Sequence, residues 1–145
     1  MQKRTAILTL AAFAISCALT LACPHPARAG ALENALVEWE PSLVQGTVMD
    51  VAGGRIAVAE RWVLIVNTTI KGKKVQTRVV DADGNEIDAR SLRRGSLVLA
   101  RGGLAWDDIS KGNVLVATEI RLLKKPYNLG SVGAVRELLM DVRPW

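Results

Sequence analysis

The stretch that most constrains the fold is a predicted β-hairpin at Val44–Trp62. Two β-branched runs flank Asp50–Gly54, whose adjacent glycines are typical of a tight turn between antiparallel strands. Gly46, early in the first run, predicts a bulge or a sharp bend, because glycine inside a strand marks a local departure from regular pairing. Strongly bent hairpins of this kind begin small closed barrels, so we expect a barrel.

The N-terminus has the pattern of a secretory signal peptide over residues 1–29. Lys3 and Arg4 form a basic start, and the uncharged apolar run Ala6–Ala22 follows them. Ala27–Ala29 offers small residues at the two positions that a signal peptidase recognises. We therefore expect cleavage after this segment and an exported, periplasmic protein.

Two alternatives for the N-terminus stay open. Cys23 could carry a lipid and make the chain an anchored lipoprotein, although Thr20 stands where such a signal normally has leucine. The signal could also be retained as an anchor, although its apolar run is short for a spanning helix, which needs about 20 residues. A membrane is an expected partner only in these two cases.

Export also changes the charge that the folded domain carries. The signal removes three of the 19 basic residues and none of the 14 acidic ones, so the net charge falls from +5 to +2. A charge this small gives little support to a nucleic-acid partner, which we regard as disfavoured.

The distribution of histidine and cysteine limits the chemistry. The only histidine, His25, and both cysteines, Cys17 and Cys23, precede the predicted cleavage point. A mature chain without them cannot build a Ser-His-Asp triad, a Cys-His pair, a typical zinc site or a histidine-ligated haem site. We therefore predict no cofactor, no metal and no enzymatic activity, while a carboxylate pair or a Ser-Lys dyad stays open.

Strand and turn signals recur every 8 to 12 residues or so, as in small all-β domains. The fold class we predict is mainly β: a five- to six-stranded antiparallel OB-like barrel with a short N-terminal helix and a C-terminal amphipathic helix. The helix is expected at 30–41, the barrel at 42–125, and a linker and helix at 126–145. The predicted strands after the hairpin are Val63–Val66, Val75–Asp81, Leu97–Arg101 and Val114–Leu123.

Both terminal helices are predicted from apolar spacing. Ala31–Glu40 places apolar residues on one face and stops at Pro41, which fits a lid packed on the barrel or a flexible arm. Ser131–Arg143 carries an apolar stripe on one arc, with Ser131 as its cap. This second helix is expected to plug a barrel mouth or to dock on another protein.

Five short motifs carry a resemblance to a known class of domains. They are Gln45–Val51, Ile56–Val58, Asn67–Ile70, Leu92–Val98 and Ala117–Ile120. Together they resemble exported bacterial OB-like barrel domains of unknown function, over about Gln45 to Leu122. The resemblance implies a small barrel and export. It brings no established activity and no functional residues.

Two acidic motifs invite a functional interpretation and favour a structural one. Asp81–Asp88 is rich in oxygen ligands, but Glu86 stands where a calcium loop needs glycine, so we expect an ordinary turn. Asp107 and Asp108, beside Trp106, could form a carboxylate pair over a sugar-stacking ring. Adjacent strand residues point to opposite faces, so a solvated loop is the preferred interpretation.

OB-like barrels bind ligands with aromatic platforms and basic loops. The candidate contact residues are therefore the exposed aromatic and basic positions: Trp62, Lys71, Lys73, Lys74, Arg93, Arg94 and Trp106, with Arg101 as a further basic residue. Our preferred hypothesis is a non-enzymatic accessory module that binds a protein or an envelope component. The alternative is a carbohydrate- or anion-binding domain.

Overall fold

The computed structural model describes residues 26–145. Eight strands and two helices occur in this part of the chain. The strands are β1 Glu40–Ala52, β2 Arg55–Val58, β3 Arg61–Ile65, β4 Asn67–Ile70, β5 Lys73–Gln76, β6 Arg78–Val80, β7 Leu97–Asp107 and β8 Gly112–Leu122. The helices are α1 Pro26–Val37 and α2 Val132–Leu139. The predicted fold class is confirmed: a mainly β protein with a closed barrel, a short N-terminal helix and a short C-terminal helix.

Five strands close the barrel in the order β1, β2, β3, β8, β7 and back to β1. β6 extends the sheet beside β8, and β4 and β5 form a separate hairpin. The barrel is mixed, because β8 runs parallel to both β3 and β6. The expectation of purely antiparallel pairing was therefore wrong in this detail. Two parallel strands need a long connection between them, and the chain segments from β3 to β8 and from β6 to β8 provide it.

The opening hairpin forms as predicted, and its bend is where β1 changes partner. Gly53 and Gly54 have φ angles of 52° and 81°, which only a glycine-type turn accepts easily. β1 pairs with β7 up to Thr47 and with β2 from Val48. The bulge lies just beyond Val48, and a Cβ at Gly46 would sit 3.2 Å from the Ala59 Cβ.

The barrel interior is built almost entirely from aliphatic side chains. It holds Val48, Ile56, Val58, Val63, Val79, Leu92, Val98, Ala100, Leu115, Ala117 and Ile120, each at most 3% exposed. Leu92, in the connector before β7, is one of them. A core of small β-branched residues suits a narrow barrel, whose interior has room for side chains only.

α1 packs on the outer wall of the barrel. Ala31, Leu32 and Ala35 are buried against a second apolar cluster that includes Ala105 and Val116. The predicted packing is present, but the helix ends at Val37, before the predicted stop. It begins at Pro26, four residues ahead of the predicted cleavage point, and the rest of the predicted signal peptide lies outside the described residues. Cleavage itself stays a prediction.

β7 is longer than the sequence pattern indicates. Its predicted end at Gly102 and Gly103 was wrong, because the strand runs on to Asp107. The two glycines serve close contacts and do not end the strand. Gly102 lies at a register shift against β8, and a Cβ at Gly103 would stand 2.6 Å from the Trp39 ring. The predicted loop at Trp106 is therefore part of a strand.

α2 lies against the outside of the barrel and does not plug its mouth. The Ser131 hydroxyl accepts a hydrogen bond from the Ala134 amide at 3.2 Å, which confirms the predicted cap. Arg101, whose neighbour Ala100 faces the interior, donates from Nη1 to the Leu138 carbonyl at 3.0 Å. The arginine points outward, so the helix sits on the wall beside β1.

Two tryptophans hold the C-terminus against the rest of the protein. Trp39 and Trp145 meet edge to face with ring centroids 6.1 Å apart. The Trp145 indole donates to the Gln76 carbonyl at 2.8 Å, and Val142 is buried nearby in the chain. These contacts hold the chain end on β5, although no residue of α2 is fully buried.

Candidate functional site

A cleft lies between the end of α1, the start of β1, the end of β7 and the start of β8. Its volume is about 580 Å³. Nine residues line it: Asn34, Val37, Glu38, Trp39, Glu40, Leu104, Ala105, Trp106 and Asn113. We call it the Trp106 cleft. It exists because β7 continues past its glycines, which carries Trp106 up beside α1.

Trp106 presents an aromatic surface to this cleft. Its side chain is 48% exposed, although its backbone is held in β7 opposite Asn113. The indole Nε1 donates to the Asp108 carboxylate at 3.3 Å, and the backbone carbonyl accepts from the Asn34 amide at 3.4 Å. An exposed indole ring at a concave surface is suited to stacking against a flat apolar ligand face.

The ionisable side chains that line the cleft are both acids, Glu38 and Glu40. The Asn34 amide nitrogen is engaged with the Trp106 carbonyl, which leaves its side-chain oxygen to accept hydrogen bonds. Asn113 adds a second amide at the opposite strand. Because carboxylates repel anions, the cleft suits a neutral or cationic ligand that carries hydroxyl or amine donors.

Trp62, the other aromatic candidate, is engaged within the protein. The Arg55 guanidinium lies 4.4 Å from its ring centroid, in a cross-strand cation-π contact between β2 and β3. The ring is half-buried and packs on the second apolar cluster. Arg55 therefore covers part of the ring, and Trp62 offers less free surface than Trp106.

The basic candidates lie in two further places. Lys71 is in the turn of the β4–β5 hairpin, and Lys73 and Lys74 follow in β5. Arg93 is exposed in the connector before β7. Arg94 donates to the Asp50 carboxylate at 2.8 Å, and this hydrogen bond lowers the pKa of Asp50. No basic candidate lines the Trp106 cleft.

The motif at Asp81–Asp88 begins with the predicted turn. The Asp81 carboxylate accepts from the amides of Asp83 and Asn85 at 2.9 Å each, and the side chain of Asn85 donates to it as well. These bonds, led by the Asn85 side chain, lower the pKa of Asp81. Within residues 26–145 there is no group of three or more His, Cys, Asp or Glu side chains placed to hold a metal ion.

Asp107 and Asp108 take different roles, and the expectation of a solvated loop for both was wrong. Asp108 is exposed, but Asp107 is only 4% exposed. Asp107 accepts from the Ser110 hydroxyl at 2.6 Å and from the Ser110 amide at 3.0 Å. Burial raises its pKa, but these bonds and one from Ile109 outweigh burial and leave the pKa below its usual value.

The lowered pKa of Asp107 predicts a pH-dependent contribution to stability. A carboxylate whose folded pKa lies below its unfolded value of about 3.9 stabilises the fold above that value. This stabilisation is lost as the pH falls through the folded pKa. We expect the difference in unfolding free energy between the wild type and Asp107→Asn to be constant near neutrality and to shrink below about pH 4. Urea unfolding across this range measures it, and a difference that persists at low pH would contradict the prediction.

Sequence reasoning missed two groups of residues. Asn34, Glu38, Glu40 and Asn113 join the cleft only through the packing of α1 on the barrel. Arg78, Arg101 and Arg121 gather around Glu119 on the outer face of the sheet, and only Arg101 was singled out. Glu119 and Arg121 are two residues apart in β8 and therefore point to the same face, a pattern that the sequence shows. The position of Arg78 beside them depends on the register between β6 and β8.

The fold defines a small mainly β protein with a closed, mixed five-strand barrel. Comparison with known proteins identifies no family: no protein-family model matches the chain, and the search of curated proteins finds no match. Neither helix in the described part of the chain combines the length and the apolar character needed to cross a membrane.

Proposed function

We propose that this protein is an exported, non-enzymatic accessory module that binds an envelope component in the Trp106 cleft. The observation that carries the proposal is the half-exposed Trp106 ring beside the carboxylates of Glu38 and Glu40. The OB-like class is supported by the closed five-strand barrel. OB-folds in general bind oligonucleotides and oligosaccharides. The lack of histidine and cysteine after residue 29 supports a binding role.

The ligand class that this chemistry favours is a neutral or amino-bearing saccharide. One face of a sugar ring is apolar and stacks on an indole, while its hydroxyl groups donate to carboxylate and amide oxygens. Glu38, Glu40 and Asn34 provide such oxygens around Trp106. An anionic ligand is disfavoured at this place, because the basic candidates lie elsewhere.

Replacing Trp106 by alanine is expected to weaken saccharide binding about 30-fold, since loss of a stacked aromatic anchor costs about 2 kcal/mol. Trp106→Phe, which keeps a ring, should lose much less. Trp39 and Trp145 report binding by fluorescence in both variants, and a panel of envelope glycans provides the ligands. A flat response of the wild type across the panel would reject the saccharide proposal. Equal affinities in wild type and Trp106→Ala would reject the site.

A protein partner is the second candidate, and α2 is the feature that favours it. Val132 is 86% exposed and Met140 is 68% exposed, beside the half-buried Val135 and Leu139. Such a stripe is unusual for a helix whose only partner is its own domain. Crosslinking in intact cells with a photoreactive residue at position 132 distinguishes a protein partner from a saccharide ligand. Capture of one defined protein at this position, together with no fluorescence response to glycans, would favour the protein partner.

Export rests on the signal pattern, and the mass of the purified protein tests it. Cleavage after Ala29 gives a chain that begins at Gly30, whereas a lipoprotein begins at an acylated Cys23. If the protein keeps the mass of the full chain in cells that cleave other signal peptides, the proposal of a free periplasmic module is contradicted.

A further inference from the structure

Three arginines converge on one carboxylate on the outer face of β6, β7 and β8. Arg101 donates from Nη2 to Glu119 Oε1 at 2.7 Å, and Arg121 Nη2 lies 3.5 Å from the same oxygen. Arg78 Nη1 lies 3.7 Å from Glu119 Oε2. One glutamate therefore faces three guanidinium groups, and this corner of the sheet carries excess positive charge.

The three arginines differ in how fully their donors are used. Arg101 is committed, because it also donates to the Leu138 carbonyl of α2 at 3.0 Å. Arg78 and Arg121 approach Glu119 only at distances longer than a good hydrogen bond. Arg78 has a second acidic neighbour, Glu86, at 3.9 Å, and that glutamate is 64% exposed. Most N–H groups of Arg78 and Arg121 are thus free to bind a ligand.

The exposures of the side chains in this cluster indicate that the free N–H groups of Arg78 and Arg121 face the solvent. The Glu119 side chain is 13% exposed, that of Arg121 is 33% exposed and that of Arg78 is 54% exposed. The carboxylate therefore lies beneath, and the two guanidinium groups lie above it. Arg78 pairs with Glu119 in the β6–β8 register and Arg121 follows two residues later, so both side chains emerge on one face.

We propose that Arg78 and Arg121 form a surface site for a phosphate group, with Glu119 holding the two guanidinium groups in position from below. Both guanidinium groups lie within 4 Å of the Glu119 carboxylate, which brings them together at one place on the outer face of the sheet. Planar guanidinium groups bind phosphate oxygens in pairs, and two of them match a doubly charged phosphate. This site lies outside the Trp106 cleft and takes the opposite ligand charge.

The inference extends the proposed function and does not depend on it. The phosphate could be free in solution or carried by a lipid headgroup, and both present the same oxygens to the arginines. The three lysines of the β4–β5 hairpin provide an internal comparison, because they are exposed and belong to none of the ion pairs within residues 26–145. They carry positive charge without the convergent geometry.

Titration of the purified protein with inorganic phosphate, followed by ³¹P NMR, tests the site. We expect saturable binding that Arg78→Gln combined with Arg121→Gln weakens at least about tenfold. The matched control is Lys73→Gln combined with Lys74→Gln, which removes the same charge and should change affinity less than about twofold. Arg78→Lys with Arg121→Lys serves if the glutamine pair does not fold, and it should still weaken binding because lysine lacks the planar fork.

Sedimentation with phosphatidylcholine vesicles, with and without phosphatidic acid, separates the two sources of phosphate. Binding only to the vesicles that contain phosphatidic acid, lost in the arginine variant, identifies a lipid headgroup. Saturable binding of inorganic phosphate without vesicle binding identifies a free phosphate. The proposal is overturned if the wild type binds neither inorganic phosphate nor the vesicles. It is also overturned if the Lys73→Gln/Lys74→Gln and Arg78→Gln/Arg121→Gln variants lose the same affinity, because equal losses would mean attraction by net charge alone.

Discussion

Gly102→Ala is expected to lower the free energy of unfolding by about 3 kcal/mol or more, as overpacking against a rigid neighbour does. A Cβ at this position would lie 2.8 Å from the Ala117 Cα and would also meet the Val116 carbonyl, all of them backbone atoms of β8. Backbone cannot rotate away as a side chain can, so the β7–β8 pairing would have to shift. Chemical denaturation followed by tryptophan fluorescence measures the change.

Gly133→Ala is the control for this substitution. Gly133 lies inside α2 with open space around its Cα, so alanine there should raise stability by up to about 1 kcal/mol. The opposite signs separate a steric effect from the general effect of replacing glycine. Equal stability of Gly102→Ala and the wild type would show that β7 and β8 do not approach as closely as described.

Thr77→Val is expected to cost about 2–4 kcal/mol, although valine has nearly the same shape. Thr77 is buried, and its hydroxyl accepts from the Val66 amide at 2.8 Å and donates to the Ala117 carbonyl at 2.6 Å. The valine variant would leave both backbone groups without this partner, at about 1–3 kcal/mol each. Thermal or urea unfolding provides the measurement.

Thr77→Ser keeps the hydroxyl and is the matched control for this prediction. Serine should lose about 1 kcal/mol or less, since only a methyl group is removed. The hydroxyl ties the end of β3, through Val66, to β8, so its loss should also increase amide exchange in the β4–β5 hairpin. A valine variant as stable as the serine variant would mean that the two backbone groups find other partners.

Much of the fold could be predicted because local patterns decided it. Alternating β-branched residues placed most barrel strands, paired glycines placed the turn at Gly53, and Ser131 marked the start of α2. The predicted end of β7 and the predicted stop of α1 were wrong for a shared reason. Gly102, Gly103 and Pro41 usually end regular structure, and here Gly102 and Gly103 serve close packing within a continuing strand, while Pro41 lies inside β1.

The candidate site was predictable only in part. Trp106 was chosen because an aromatic residue beside acids stands out in a sequence. Its cleft partners were not predicted, because the hydrogen bond between Asn34 and Trp106 joins residues 72 positions apart. Trp62 was chosen as a second aromatic platform, but Arg55 reaches its ring across the β2–β3 pairing. If the register between β2 and β3 had been known, Trp62 would have been a weaker candidate contact residue than Trp106.

Composition and short-range periodicity were enough to establish the mainly β class, most of the strands and turns, and the absence of histidine and cysteine after residue 29. The tertiary structure alone decided the parallel pairings of β8, the path of β7 through its glycines and the gathering of Arg78, Arg101 and Arg121 around Glu119. The physical reason is register. A shift of one residue between two strands turns each side chain to the other face, and only the closed barrel specifies that register over its whole circumference.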